Sequence, residues 1–312
     1  MCRIMDKSDV TLERMRSFVR VAERGNFSAV ARELNIGQSS VTRHLSELED
    51  ALGVALLSRT TRRVSLTEEG RRYYAHAVQI LRLVEQAGDE VRQAHGEHAG
   101  TVRLSCTAAL GVRHIARLLF AFQDRHPEIR IEFSLTDERI DLVREGVDLA
   151  LRLGPLDDSS MKRRSLGRSR RVLVAAPDFL ARYGRPRTPE DLAGLEGIRM
   201  SNIAGSETLV LEGPDGSRHA VPFGGRLQVD HGLAAREAFA EGRGFGPTHV
   251  WLVDDLLEQG RLEPILPDYV PAPTPLNMLI VPERAGIARV RLLIEFLVGA
   301  IARLPGIEAK AL

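Results

Sequence analysis

Apolar residues near the start of the chain fall at Leu12, Met15, Phe18, Val19 and Ala22. This is the three-and-four spacing of one helical face about three turns long, and Gly25 supplies the stop. After Asn26-Phe27-Ser28 a second, short helix is predicted over Ala29-Val30-Ala31-Arg32-Glu33-Leu34, with Ser28 as its capping side chain and small residues that let another helix approach. Asn35-Ile36-Gly37 reads as a tight turn in which Gly37 takes the backbone angles that cost other residues energy. A third helix opening at Gln38 carries Val41, Leu45, Leu48 and Leu52 on one face and leaves Gln38, Ser39, Thr42, Arg43 and His44 exposed. Short helix, tight turn and a helix with a polar first turn make a helix-turn-helix, whose second helix must offer hydrogen-bonding side chains to base edges.

Beyond Gly53 the run from Leu56 to Thr67 predicts two short strands joined by a basic turn. Arg59, Arg62 and Arg63 lie within five positions, among threonines and without acids. An isolated turn of this kind is more often a solvated hairpin; beside a helix-turn-helix it reads as a wing for phosphates or a narrow minor groove. Glu68 and Glu69 then open a long helix. Tyr73, Ala77, Ile80, Val84, Ala87, Val91 and Ala94 repeat there at a mean spacing of 3.5 residues. That is a coiled-coil seam calling for a second helix, the alternative being one amphipathic helix packed on its own domain. His95-Gly96-Glu97-His98-Ala99-Gly100 breaks the pattern and reads as a hinge. Its two histidines do not make a metal site.

From Thr101 the pattern changes to alternating strands and helices. Residues 101–106, 130–135, 148–153, 171–176 and 225–229 read as strands, and 111–125 and 140–145 as helices. This predicts an α/β sheet with helices on both faces, and such sheets bind ligands at the carboxyl ends of their strands.

With 312 residues the chain is long enough for two or more domains. A composition of 44% hydrophobic and 27% charged residues is that of a soluble globular protein. A formal net charge of +1 gives no global sign of nucleic acid, yet residues 1–67 hold eleven Lys/Arg against eight Asp/Glu. Cys2 and Cys106, with no zinc-ligand spacing, point to a reducing compartment. Neither a signal peptide nor a run of eighteen apolar residues is present, so a cytoplasmic protein with no membrane segment is expected.

Ser28-Ala29-Val30-Ala31 with Leu34, Gln38-Ser39-Ser40-Val41-Thr42-Arg43-His44-Leu45, Leu48-Glu49, Leu52-Gly53, Leu56-Leu57-Ser58-Arg59 and Leu66-Thr67-Glu68-Glu69-Gly70 together resemble the LysR-type transcriptional regulators. Thr42 stands where serine is commoner in that family, and Leu57 where phenylalanine is commoner. The likeness continues through Phe122 to Pro127, Gly146 to Arg152, Pro177 to Gly184, Thr188 to Leu192, Asp254-Asp255-Leu256 and Gly260-Arg261-Leu262. The resemblance implies an all-α winged helix-turn-helix domain over 1–67, a linker helix over 68–95, a hinge at 96–100 and an α/β effector domain over 101–312. That last domain is expected to hold two Rossmann-like subdomains of the periplasmic-binding-protein type 2, the first from 101–172 and 276–303 and the second from 173–275.

The resemblance also implies roles. Ser28, Gln38, Ser39, Ser40, Thr42, Arg43, His44, Arg59, Thr61, Arg62 and Arg63 are the expected DNA-binding residues, facing double-stranded promoter DNA. A homodimer through residues 71–94, assembly into a homotetramer and RNA polymerase as a partner are expected, with no prosthetic cofactor and a small organic effector held in the cleft. By the strand-end rule its pocket is placed at Thr107, Ala108, Thr136, Arg152, Ser201, Asn202, Asp230, His231 and Thr248. Hydroxyls and helix N-termini suit a carboxylate, and Arg152 either pairs with it or is a surface strand charge. Trp251 reads as a core residue.

No Gly-x-Ser-x-Gly elbow, phosphate-binding Gly-Lys-Ser/Thr loop, His-Glu-x-x-His or early Gly-x-Gly-x-x-Gly occurs, so catalysis is not expected. A thiol switch on Cys106 has no second cysteine nearby in sequence. Lys162, Arg163, Arg164, Arg168, Arg170 and Arg171 form a basic run that reads as a solvated strand edge rather than an extension of a DNA footprint.

Overall fold

The structure is a computed structural model describing residues 10–60, 63–93, 99–138, 142, 145–156 and 161–309. The chain divides into two compact units, the first carrying α1 to α4 and the wing, the second carrying β3 to β16.

In the first unit α1 (Leu12–Arg24), α2 (Phe27–Leu34) and α3 (Gln38–Leu52) precede a hairpin of β1 (Leu57–Thr60) and β2 (Arg63–Leu66) and the long α4 (Glu68–Gln93). Phe18, Val21, Val30, Val41, Leu45, Leu48 and Leu56 are buried together, with Tyr73, Tyr74 and Val78 of α4 packed against them. The cap of α2 differs from expectation. Asn26, with extended backbone, accepts from Ala29 N at 3.0 Å, so the helix begins at Phe27 and Ser28 already lies in its first turn. The turn also differs: the left-handed residue is Asn35 (φ 53°), whereas Gly37 has φ −68° and serves as the N-cap of α3. Asparagine tolerates the left-handed region through its short polar side chain.

Two contacts fix the wing relative to α3 and α4. The Glu49 carboxylate accepts from Leu56 N and Leu57 N at 2.8 and 3.1 Å. Gly70, in the first turn of α4, lies so close to Leu56 that a Cβ there would sit 2.0 Å from the Leu56 carbonyl oxygen. Only glycine permits that approach. The seam expected along α4 proves divided. Ala77 is fully buried and Tyr73 half-buried against the unit's own core, while Ile80, Leu83 and Val84 are 37, 62 and 42% exposed. Leu83, absent from the expected seam, joins this outward strip, and the side chains of Val91 and Ala94 lie outside the described residues.

The second unit is built on a six-stranded sheet of order β16-β6-β15-β5-β3-β4. Its strands are β3 (Gly100–Cys106), β4 (Ile129–Leu135), β5 (Leu149–Leu153), β6 (Lys162–Ser169), β15 (Thr274–Ile280) and β16 (Ile307–Glu308). β3 runs parallel to β4 and β5, as the intervening helix requires, and β15 is antiparallel to β5 and β6. α5 (Ala108–Leu110) passes through one wide π turn (Gly111–Ile115) into α6 (Ala116–Arg125). The predicted helix over 140–145 and the hinge residues 96–98 fall largely outside the described residues.

The chain leaves this sheet at Arg170 and returns at Thr274. Between those points β7 (Arg171–Ala175) is the centre of a second sheet, flanked antiparallel by β12 (Gly246–His249) and β13 (Glu263–Pro264). α7 (Pro177–Tyr183), α8 (Gly232–Ala240) and α9 (Val250–Glu258) accompany it, and α10 (Ala288–Ile301) follows the return strand β15. β8 (Arg199–Met200) pairs parallel with β11 (Gln228–Val229). The strand expected over 225–229 is thus only its last two residues. Gly225 crosses Gly197 so closely that a Cβ would stand 2.3 Å from the Gly197 oxygen, a close approach rather than a ladder position. The hairpin of β9 (Thr208–Glu212) and β10 (Arg218–Pro222), joined by β14 (Val270–Pro271) in a separate three-stranded sheet, was not expected from the sequence.

Of the basic run, Lys162, Arg163 and Arg164 are exposed in a stretch of β6 that β16 does not reach, the solvated edge expected. Arg171 departs from it, since it belongs to β7 and lines an internal cavity. No helix among the described residues is long and apolar enough to cross a membrane.

Candidate functional site

The first candidate surface is the amino-terminal turn of α3. Val41, Leu45 and Leu48 bury one side of this helix, which forces Gln38, Ser39 and Arg43 outward, and all three are exposed. Ser28 Oγ donates to Gln38 Oε1 at 2.9 Å, tying the start of α2 to the start of α3 and orienting the Gln38 amide. Arg43 has a 67% exposed side chain held only loosely, its Nε 3.9 Å from Glu47, whose carboxylate is taken by Arg14 at 2.7 Å. Ser40 and Thr42 are half-buried, and the Thr42 hydroxyl donates to Gln38 O at 3.1 Å. His44 is inward as well, with Nδ1 2.8 Å from Oγ of the buried Ser17. The eleven expected DNA-binding residues therefore do not form one presented set. Gln38, Ser39 and Arg43 are presented; Ser28 is exposed too but spends its hydroxyl on Gln38, and Thr42 and His44 are half-buried and bonded within the domain. Thr61 and Arg62 lie outside the described residues, as do the side chains of Arg59 and Arg63.

The second candidate is a cavity of about 260 Å³ in the second unit, near the lower end of the range for small-molecule sites. The carboxyl ends of β3, β5, β8 and β11 deliver Thr107, Leu153, Asn202 and Asp230 to it. The first turns of α8 and α9 contribute Gly232, Trp251 and Leu252. Apolar walls come from Ile198, Met200, Phe239 and Pro247. Asp137 also lines it, its Oδ1 accepting from Ala108 N at 3.0 Å and its Oδ2 3.7 Å from His231 Nε2.

A polar cluster is built around two lining residues, His249 and Trp251. Trp251 Nε1 donates to Ser169 Oγ at 2.8 Å, and the same oxygen is 2.8 Å from His249 Nδ1. The His249 and Trp251 rings stack at 5.2 Å, and His114 Nε2 is 2.7 Å from Trp251 O. Burial, with the Arg171 charge next in size, pushes the His249 pKa down to about 3, so its ring is neutral at physiological pH. Burial likewise lowers the Arg171 pKa.

Thr107, Asn202, Asp230 and Thr248 thus line the cavity as placed from the sequence, and five expected neighbours do not. Arg152 is neither a pocket cation nor a surface charge; it is buried, donating to Ser105 Oγ at 2.8 Å and Leu151 O at 3.1 Å. His231 caps α8, its Nδ1 accepting from Leu233 N. Thr136 Oγ1 accepts from Glu138 N, and Ser201, although exposed, donates its amide to Val229 O. Ala108 gives its amide to Asp137 rather than to the cavity. The missed lining residues with polar side-chain groups are Asp137, Arg171, His249 and, as a wall rather than only a core residue, Trp251. Asp137 was one position beyond the Thr136 chosen by the strand-end rule. Cys106, adjacent to this wall, is fully buried, and burial pushes its pKa up to about 12. A thiol held protonated is a poor nucleophile toward peroxide. Among the described residues no group of three or more His, Cys, Asp or Glu is placed to hold a metal.

A helix-turn-helix with a presented polar first turn, followed by an α/β unit enclosing a mixed polar and apolar cavity, defines a ligand-responsive DNA-binding regulator. The model described as "LysR substrate binding domain" matches residues 95–302, and the bacterial regulatory helix-turn-helix model of the lysR family matches 12–71. The chain belongs to the LysR family of transcriptional regulators. It is 33% identical over 287 residues to the HTH-type transcriptional regulator CrgA of Neisseria meningitidis, spanning 92% of this chain and 95% of the relative. It is 34% identical to the regulator DmlR of Escherichia coli, over 92% and 93% of the two chains. Among solved structures, CrgA aligns at a TM-score of 0.60 with 32% identity, covering 93% of this chain and 98% of that one. The Vibrio cholerae virulence activator AphB aligns at 0.62 with 27% identity, covering 93% and 99%. The chain is accordingly a transcription regulator with a helix-turn-helix for DNA and a domain for a small-molecule effector.

Proposed function

We propose that α3 enters the major groove of promoter DNA with Gln38, Ser39 and Arg43 at the base edges, while Ser28, Ser40, Thr42 and His44 hold that helix in position. The wing residues Arg59, Thr61, Arg62 and Arg63 take phosphates or the adjacent minor groove. Two chains join through the outward strip of α4 that starts at Ile80, so that two α3 helices meet half-sites spaced by the helical repeat. Pairs of dimers form the regulatory tetramer, which works in the cytoplasm and engages RNA polymerase at the promoter. The effector occupies the cavity around Thr107, Asn202, Asp230 and Thr248 and shifts the assembly through different affinities for its arrangements. No catalytic step and no prosthetic group belongs to this proposal.

The observation that carries the DNA-reading part is the outward first turn of α3, with Arg43 exposed and weakly paired on a helix whose opposite face is core. Arg43→Ala is expected to lose discrimination between an operator duplex and a scrambled duplex by roughly 1–3 kcal/mol, the worth of one good base contact. Fluorescence anisotropy with duplexes taken from upstream of its own reading frame measures this. An unchanged discrimination ratio would remove Arg43 from base reading.

A further inference from the structure

Arg171 is the cation among the lining residues of the cavity, and no described residue neutralises it. Its guanidinium lines the cavity beside Ile198, Met200 and Pro247, and makes no hydrogen bond or ion pair with any described residue. Burial lowers its pKa, and no acid among the described residues offsets that. Arg171 is half-buried, and a cation partly withdrawn from water without a counter-charge is costly unless a partner arrives from outside.

A second donor stands beside it. His249 is directly opposite Arg171 in the β7–β12 ladder, which puts the two side chains on one face. The indole N–H can only donate, so Ser169 Oγ accepts from Trp251. The Ser169 proton then has His249 Nδ1 as its acceptor among the described residues. A neutral ring accepting at Nδ1 carries its own proton on Nε2. That N–H has no partner among the described residues and belongs to a side chain lining the cavity.

We infer that the effector is a small organic monocarboxylate whose carboxylate is held by the Arg171 guanidinium and the His249 Nε2–H. This rests on the cavity being the effector site. A planar guanidinium fork matches a carboxylate, and the surrounding Ile198, Met200 and Pro247 suit the hydrocarbon body that follows it. The remaining charged lining residues are Asp137 and Asp230. They repel a second acid group, which excludes dicarboxylates, and they accept from a hydroxyl or ammonium group at the far end. A phosphate dianion finds one cation where it needs more.

Trp251 is the chain's single tryptophan and lines the same cavity, so its fluorescence reports occupancy. The full chain is titrated with sodium benzoate and sodium butyrate, and with benzamide and butyramide as uncharged counterparts, at millimolar concentrations. At least one acid is expected to change the emission saturably while its amide does not. Arg171→Gln should weaken that acid by roughly tenfold to a hundredfold, the loss of a charge-assisted contact, and Arg171→Lys by less. Without ligand, Arg171→Gln should melt at the same temperature as wild type or higher, because the uncompensated cation is gone; an arginine with a structural role would lower the melting temperature instead. Equal binding of acid and amide, unchanged acid binding in Arg171→Gln, or no response to either acid would overturn the inference. Ala235→Leu, which narrows the cavity from the α8 wall, separates the two levels. If it blocks an amide that binds wild type, the cavity remains the effector site and only the acid assignment fails. If it leaves every response intact, the cavity itself is not the site.

Discussion

Leu83→Glu combined with Val84→Glu is expected to weaken operator binding by roughly 10²–10⁴-fold while leaving the folding of both units intact. Leu83 is 62% and Val84 42% exposed, and with Ile80 they form an apolar strip at helical spacing on α4. None of the three belongs to the core of the DNA-binding unit, which uses Tyr73, Tyr74 and Ala77 from the same helix. Glutamates there cost the isolated chain little and place like charges across any helix-helix seam. Once the seam fails, each half-site is bound independently and the gain from linking two weak contacts disappears. Sedimentation should show an assembly no more than half the size of the wild type's, with unchanged circular dichroism. A double substitution that keeps the wild-type assembly and binds the operator normally would move the interface elsewhere.

The second large effect concerns the cavity wall. Trp251→Ala should destabilise the effector-binding unit by about 3–5 kcal/mol, the usual cost of deleting a large buried aromatic side chain. For a unit of this size that lowers its melting temperature by roughly 6–20 °C. Trp251 is 1% exposed, stacks on His249 and donates to Ser169 Oγ. Its removal therefore leaves a void and a buried hydroxyl lacking its donor. Calorimetry should show the loss in the effector unit alone. A shift of only one or two degrees would mean that the wall collapses easily onto the space the indole leaves.

What could be read from the sequence follows from how local each signal is. Helices α1 and α3, the wing and the long α4 announce themselves through spacing and caps within a few residues. The details that failed are ones that neighbours in space decide. Gly37 seemed the obvious residue for the left-handed turn, yet Asn35 takes it. Tyr73 and Ala77 continue the period of Ile80 and Val84, but the first pair is spent on the unit's own core. Periodicity shows that a face is apolar and is silent about which partner covers it.

The same distinction governs the two sites. Gln38, Ser39 and Arg43 lie within the first two turns of one helix, so sequence order alone groups them. Arg171 and His249 are brought together by an antiparallel pairing between β7 and β12, and Asp137 reaches the cavity from the end of β4. In sequence Arg171 looked like the last member of a basic surface run. Arg152, chosen as the pocket cation because it stands in a strand near the cleft, points instead to Ser105. The strand-end rule found Thr107, Asn202, Asp230 and Thr248 because it describes the sheet rather than any one side chain.

The most direct measurement is the affinity of the full chain for a duplex from upstream of its own reading frame and for a scrambled duplex, each across a range of salt concentrations. Sequence reading by α3 with phosphate contacts from the wing predicts that both affinities fall steeply with salt, and that the specific duplex stays tighter by roughly 10³-fold or more. Equal affinity for the two duplexes at every salt concentration would contradict sequence-specific reading by this helix.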